Sequence, residues 1–348
     1  MKKAFFINGG AGRVLCAIPA LEYYKQHTDP TVVIVVEGWL ELFFNSAILR
    51  DNVYPVGHKN LFQDKLLDRE IITPEPYRLN AYFTQKCNLI QAFDILINDL
   101  KEIPKTKEFT LDISRVDQAY GYNLIDEVKR QTGKQKVVVF QPLGSGAAVN
   151  GNFLLDTSGR SFELKDIINI TKELSKEYAV ILMTNINIPV SEVMNAVIPN
   201  ANLLEWMGII NAADYFIGCD SMGQHYAHAL GKPATVVIGS TFPENISYPD
   251  TKTFTVIDNG KDVRRYIPMR ITQDFVGDRN NQDAMVLTDK TFDTIIKSVT
   301  NKLGKSKQIK DITKLVDPVH VHDASCKHSE QSTAATTPPF AKKQSVTA

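Results

Sequence analysis

Residues 214–243 read DYFIGCDSMGQHYAHALGKPATVVIGSTFP. Tyr215–Gly218 is an apolar run that stops at Cys219-Asp220-Ser221, where Asp or Ser suits a helix N-cap. Met222 to Leu230 carries a helical pattern, closed by Gly231 and Pro233. Ala234–Ile238 is a second, β-branched run ending at Gly239-Ser240-Thr241. Two strands joined by a helix within about thirty residues make a βαβ unit with parallel strands. Ligands of such sheets sit at the carboxyl ends of the strands. The intervening helix starts at that same edge, so its first N–H groups face whatever binds there and favour an anion.

The pattern extends in both directions. Ala4–Ile7 is a first strand, followed by the glycine loop Asn8–Arg13 and a segment with Val14, Ile18 and Leu21 at helical spacing. Pro19 predicts a kink or a helix start near Ile18. Thr31–Val36 suits a buried parallel strand. A helix around Leu40–Ile48 and a strand at Val53–Val56 follow; residues 57–85 give no clear pattern beyond a loop marked by Pro74 and Pro76. Helical periodicity covers Asn88–Leu100 and Val116–Gln131, with a short strand at Thr110–Asp112. A second α/β run begins at Val137–Phe140 and leads into the loop Gln141–Gly146, which continues to Gly159. Ser161 is placed to cap the next helix. Strands are expected at Ala179–Met183, Asn202–Glu205 and Thr253–Ile257, and helices near Met207–Ala212 and Phe292–Leu303. Strand, glycine loop and helix thus occur twice. The expected architecture is α/β: two Rossmann-like halves with parallel sheets facing a cleft, residues 1–133 and 134–304, with a disordered Ser/Thr/Ala/Pro-rich tail over 305–348.

Of 348 residues, 39 are basic and 39 acidic, so the formal net charge is zero. That balance argues against stable nucleic-acid binding and allows at most peripheral membrane contact. No apolar stretch approaches the roughly 20 residues of a membrane span, and Ala4–Ile7 is too short for a signal-peptide core. The cysteines Cys16, Cys87, Cys219 and Cys326 form no CxxC pair. They read as reduced thiols of a cytoplasmic protein.

The segment DSMGQHYAHALGKPATVVIGSTFP resembles the Asp-Thr-Gly-x-x-His…Ala…Gly-x-Pro…Gly-x-Thr-x-Pro signature of the heptosyltransferase-like glycosyltransferases, family 9, of GT-B fold. Asp220, Ser221, His225, Ala229, Gly231, Pro233, Gly239, Thr241 and Pro243 fall on it. GRSFELKDIINITKEL, from Gly159, is similar to the family's basic-x-Trp helix opening, with Arg160 as the base and Phe162 in the Trp position. NGGAGRVLCAIPAL resembles its N-terminal loop and helix through Gly12, Pro19, Ala20 and Leu21. The resemblance implies an inverting, metal-independent transfer of a sugar from a nucleotide-diphosphate sugar to a glycan acceptor, lipopolysaccharide-like or another hydroxyl. It also implies that the last helix packs back against the first half. No cofactor or metal is expected. The family's proposed general base, an Asp, is Arg13 here, and a guanidinium cannot accept a proton.

Such a transfer must stabilise a departing diphosphate and deprotonate a hydroxyl. For the first, Ser221, Met222 and Gly223 offer amides at a helix mouth, Gly144, Ser145 and Gly146 a loop allowing close backbone approach, and Arg160 a fork for phosphate. His225 leans toward the mouth and can donate to a phosphate. Asp220 can bind ribose, orient His225 or cap the helix, and Glu205 can accept from ribose hydroxyls. Arg13 can pair with donor phosphates, hold an acidic acceptor, or form a structural salt bridge. For the second demand, Glu37, at the end of the second strand, or a group on the acceptor is expected to stand in for the missing base. His225 and His228 have a spacing open to a metal, against the commoner reading of packed or surface histidines; a tail cluster of His320, His322, Cys326 and His328 has enough ligands for zinc but not the spacing of a known finger.

Two other functions fit parts of the pattern. Gly10 and Gly12 after a strand, with Glu37 beyond the next, imitate a dinucleotide fingerprint and an NAD-type oxidoreductase, but Leu15 stands where the third glycine belongs. A non-catalytic nucleotide-sugar-binding protein on the same scaffold fits Arg13 at the base position.

Overall fold

A computed structural model describes residues 2–108, 111–150, 153–156, 158–184, 186, 188, 196–249, 251–265 and 283–305. The tail from residue 306 and its His/Cys cluster lie outside the described residues, as does Thr110. The first sheet contains β1 (Lys2–Ile7), β2 (Val33–Val36), β3 (Val53–Pro55) and β4 (Arg69–Ile72), in the order β3-β2-β1-β4 and all parallel. Its helices are α1 (Ala11–His27), the single turn α2 (Asn80–Phe83) and α3 (Leu89–Ile97), followed by α4 (Arg115–Thr132). The second sheet contains β5 (Val137–Gln141), β8 (Ala179–Leu182), β9 (Tyr215–Gly218), β10 (Ala234–Ile238) and β11 (Phe254–Asp258). Its order is β11-β10-β9-β5-β8, again all parallel. Between β5 and β8 lie a hairpin, β6 (Ala147–Asn150) with β7 (Phe153–Asp156), and α5 (Leu164–Leu174). Then come α6 (Leu203–Ala212), α7 (Met222–Ala229), the short α8 (Pro243–Ile246) and α9 (Asp289–Leu303).

In the second sheet β5 and β9 are wholly buried, as near-continuous Val/Ile/Phe runs in a covered parallel sheet should be. A continuous apolar core links the halves, from Ile18 and Phe93 to Trp206, Met207 and Tyr226. A second cluster, with Phe140, Ile167 and Ile295, covers the other face of the second sheet. The side-chain amide of Asn245 also crosses between halves, donating to the carbonyls of Tyr82 (2.8 Å) and Cys87 (3.1 Å).

Helices α4 and α6 meet backbone to backbone. A Cβ on Gly121 would lie 2.2 Å from the Gly208 carbonyl oxygen, and one on Gly208 would lie 2.0 Å from that of Asp117. Only glycines allow this crossing.

Several sequence expectations change. Helix α1 runs unbroken from Ala11 through Pro19, because burial on several sides offsets the missing hydrogen bond. Residues 40–45 form a 3-10 turn rather than a helix reaching Ile48. The strand β4 falls inside the segment that gave no clear pattern; it is an exposed edge strand with charges and no alternation. Leu111 and Asp112 belong to no strand. Asn202–Glu205 is not a strand but the capped start of α6: the Asn202 side chain accepts from the Leu204 and Glu205 amides, and the Glu205 carboxylate accepts from the Asn202 amide at 2.6 Å. Helix α9 buries Ile295 and Val299 in the second core and packs on α5 and β10, not on the first half.

Candidate functional site

The carboxyl ends of the strands meet at one cavity of about 640 Å³. After β1 comes Gly10, after β2 Trp39, after β5 Leu143–Ser145, after β8 Met183 and Thr184, after β9 Asp220–Met222, and after β10 Thr241; all line it. Parallel sheets place ligand sites at these edges.

Arg160 reaches the helix mouth. It donates through Nη1 to the Asp220 carbonyl (3.2 Å), through Nη2 to Ser145 Oγ (2.7 Å) and through Nε to Ser158 Oγ (3.0 Å). A guanidinium has two N–H groups on each terminal nitrogen, so one on each is left without an acceptor among the described residues. That pair is a fork directed by the loop that carries it.

Asp156, absent from the sequence-based set, holds that loop. Its carboxylate accepts from the Ser158 amide (2.8 Å) and hydroxyl (2.5 Å), the Arg160 amide (3.1 Å), and the Ser161 amide (2.8 Å) and hydroxyl (2.6 Å). Burial alone would raise its pKa, but the hydrogen bonds from Ser158 and Ser161 outweigh burial and hold the carboxyl below its ordinary value. Ser161 therefore does not cap α5, whose N-cap is Glu163. Ser161 instead joins Asp156 to the Gly144 amide (2.9 Å). The glycines serve the same seat: a Cβ on Gly146 would lie 2.5 Å from an Asp156 carboxylate oxygen, and one on Gly144 would lie 3.2 Å from Arg160 Cβ. The loop is a packed support for Arg160, and Gly144 and Ser145 also line the cavity. Asp156-x-Ser-x-x-Ser spacing was the available signal, an acceptor with hydroxyls two and five residues on.

At the mouth of α7, Ser221 is the N-cap residue by backbone but its hydroxyl makes no capping bond. The Gln141 amide side chain takes that role: Oε1 accepts from the Gly223 amide (2.9 Å) and Nε2 donates to Ser221 Oγ (3.0 Å). The Gly223 N–H is thus already satisfied, leaving the preceding amides of Ser221 and Met222 nearest the cavity. Asp220 lines the cavity and accepts from the Thr241 hydroxyl at 2.9 Å.

His225 sits behind the mouth, buried. Its Nδ1 pairs with the Tyr248 hydroxyl (2.7 Å) and lies 3.5 Å from Cys16 Sγ. Its ring fills the space against Gly12, where a Cβ would be 3.0 Å from His225 Cδ2. Burial lowers its pKa to about 4, against a smaller opposing effect of Asp220, so the ring is neutral at pH 7. His228 is stacked on Tyr248, ring centroids 3.6 Å apart. Among the described residues no His/Cys/Asp/Glu group is arranged to hold a metal.

Of the two expected catalytic residues, Arg13 lines the cavity and Glu37 does not. Arg13 is buried, donating to the Asn8 carbonyl (3.0 Å) and side chain (3.1 Å), the Pro74 carbonyl (3.0 Å) and the Glu75 carboxylate (3.2 Å). Tyr77 and Phe93 cover it at 4.9 and 5.3 Å. That geometry contains the salt bridge expected as one alternative for Arg13. Glu37 is exposed and outside the cavity lining, and Glu205 is engaged in its helix cap. The Gly10–Gly12 loop lines the cavity, but Gly12 accommodates the His225 ring rather than a pyrophosphate.

No protein-family model matches the chain, and no curated protein does. Solved structures do. The chain is similar to ADP-heptose LPS heptosyltransferase II of E. coli (12% identity, 86% of this chain and 98% of that chain, TM-score 0.50). It is similar to a glycosyl transferase of family 9 from Veillonella parvula (10% identity, 86% and 96%, TM-score 0.54). It is also similar to the iron-containing dodecameric glycosyltransferase TibC from enterotoxigenic E. coli (13% identity, 87% and 78%, TM-score 0.54). The fold is GT-B, as the motif resemblance implied.

Proposed function

We propose that the chain is a glycosyltransferase that binds a nucleotide-diphosphate sugar at the second sheet and transfers its sugar to a hydroxyl presented from the first. The observation that carries this reading is the Arg160 fork fixed at the mouth of α7. Cation and helix-mouth amides together suit a diphosphate, whose negative charge grows as the sugar leaves. Asp220, beside them, is positioned for hydroxyls of the ligand. With that charge carried by Arg160 and amides, the transfer needs no metal in this reading. Attack from the face opposite the diphosphate inverts the anomeric carbon: the acceptor O–C1 bond forms, the C1–O bond to diphosphate breaks, and the acceptor proton leaves.

Asp220 and His225 are the carboxylate and the imidazole that line the cavity. His225 borders the first-sheet wall at Gly12 and is assigned the proton in this reading, which a ring of pKa about 4 holds only in passing. Proteins of this fold are named for ADP-heptose; ADP-sugars are the first donors to try. Among the described residues no helix is long and apolar enough to cross a membrane; a lipopolysaccharide-like or other glycan acceptor would be met from the water side. The test is release of nucleoside diphosphate from a set of nucleotide sugars, with and without a glycan mixture.

One observation favours a second reading, a nucleotide-sugar-binding protein without transfer. Arg13 stands at the family's base position and is locked among Asn8, Pro74 and Glu75. Binding without diphosphate release at any glycan concentration would select it.

A further inference from the structure

Trp39 has a backbone that its side chain does not favour. Its φ is 63° and ψ 32°, in the left-handed region, which is a true outlier for a bulky residue. The other described non-glycine residues with positive φ are Asn60, Gln85, Asp99 and Asp283, polar types that tolerate it better. The strain follows from where the ring must go. The indole Nε1 donates to the Gly9 carbonyl at 3.0 Å, which fixes the ring beside the β1 glycine loop. The ring is still 40% exposed, and it lines the cavity. A large, exposed, anchored aromatic face held at a cost is the mark of a binding surface.

The wall around Trp39 has a definite chemistry. On the first-sheet side the lining adds Tyr77, Tyr82 and Leu89, and its one charged side chain among the described residues is Arg13. Arg13 is turned to Asn8, Pro74 and Glu75, with Tyr77 and Phe93 over it. The cationic fork lies on the opposite wall, at Arg160. The wall opposite the donor is therefore mainly aromatic, and its one charged lining side chain among the described residues, Arg13, is already paired with Glu75.

We propose that Trp39 is the stacking platform of an acceptor subsite that takes an uncharged pyranose ring, not a phosphorylated or acidic sugar. The face of a pyranose presents C–H groups with slight positive charge, which complement the negative face of the indole. This rests on the reading of the cavity as a glycosyl-transfer site.

The probes are methyl glycosides of glucose, galactose and mannose, with their 6-phosphates and uronic acids. Saturation-transfer difference NMR on the whole chain gives their affinities, and calorimetry gives the affinity for the nucleotide sugar. At least one neutral glycoside should bind, and more tightly than its charged counterparts. Trp39→Phe should keep that binding within about threefold and Trp39→Ala should lose about tenfold or more, the factor expected from one aromatic contact. Donor affinity should hold in both, which also shows that the variants fold. Trp39→Gly should lose the glycoside without a fall in melting temperature, since glycine relieves the strain. Unchanged glycoside binding in Trp39→Ala, or tighter binding of the 6-phosphates or uronic acids, would overturn the proposal. Failure of every nucleotide sugar to bind would sink the transfer reading instead, and the glycoside measurements would still decide the role of Trp39.

Discussion

The Arg160 guanidinium donates to the Asp220 backbone carbonyl at 3.2 Å, so a charge carried by the loop after β7 is fixed at the mouth of α7. Two chain segments 60 residues apart thereby form one anion site. Arg160→Ala should weaken nucleotide-diphosphate-sugar binding about 10- to 100-fold, because a charge-assisted hydrogen bond contributes roughly 1.5–3 kcal/mol. Arg160→Lys should fall between, keeping charge and losing the fork. The side chain is partly exposed, so melting temperature should change little.

Asp156 acts through Arg160. Asp156→Ala leaves the amides of Ser158, Arg160 and Ser161 without their acceptor, and should cost about 2–4 kcal/mol of stability and reduce donor affinity as well. Asp156→Asn should recover part of both. Its carboxyl is held below the ordinary value of 3.8, so its contribution is present above that pH and disappears as pH falls through the lower folded-state value. Urea unfolding of wild type and Asp156→Asn should differ between pH 5 and 7 and converge in stronger acid.

His225 acts in a separate window. Its folded pKa of about 4 lies below the ordinary 6.5, through burial. The unfolded chain takes up the proton first, so stability is full above about pH 6.5, declines between 6.5 and about 4, and levels below. The shift sets an upper bound of about 3 kcal/mol on this decline. His225→Gln should reduce the slope of the stability profile between pH 4 and 6.5, measured by chemical unfolding, the remainder belonging to His228, whose pKa burial also lowers to about 4. A slope unchanged from wild type would show that the ring is not held neutral.

Glu37 and His225 make opposite predictions for transfer. Glu37→Gln should leave diphosphate release at the wild-type rate, since the carboxylate is exposed and outside the cavity lining. His225→Ala should reduce it at least about 100-fold, in line with loss of a general base. Single-turnover assays at saturating donor separate these effects from binding.

The parallel strands and the helix mouth were legible in residues 214–243 because both depend on local pattern: β-branched runs, then Asp220-Ser221, then Gly231. Arg160 was legible through its neighbours in a motif. Gln141 and Asp156 were not, because their roles depend on partners reached only after folding, Gly223 at 82 residues' separation and the loop glycines. Arg13 shows the converse. Its position in the glycine loop was plain, but its role follows from Pro74 and Glu75, in a segment whose edge strand gave no periodic signal. Glu205 misled for a local reason: Asn202-x-x-Glu205 is a capping box, and its carboxylate is used there.

The crossing of α4 and α6 gives a prediction independent of function. Gly121→Ala should raise helix propensity by up to about 1 kcal/mol. The new Cβ would meet the Gly208 carbonyl oxygen at 2.2 Å, and overpacking of that kind costs about 1–3 kcal/mol or more. The clash should win, and calorimetry should show a melting temperature lower by several degrees.

The most direct measurement is native mass spectrometry of the whole chain against ADP-, UDP- and GDP-sugars, in parallel for wild type and Arg160→Ala. A diphosphate site built from Arg160 and the first amides of α7 predicts that at least one nucleotide sugar binds wild type and is lost or strongly weakened in the variant. No binding to wild type, or equal binding to both, would contradict it.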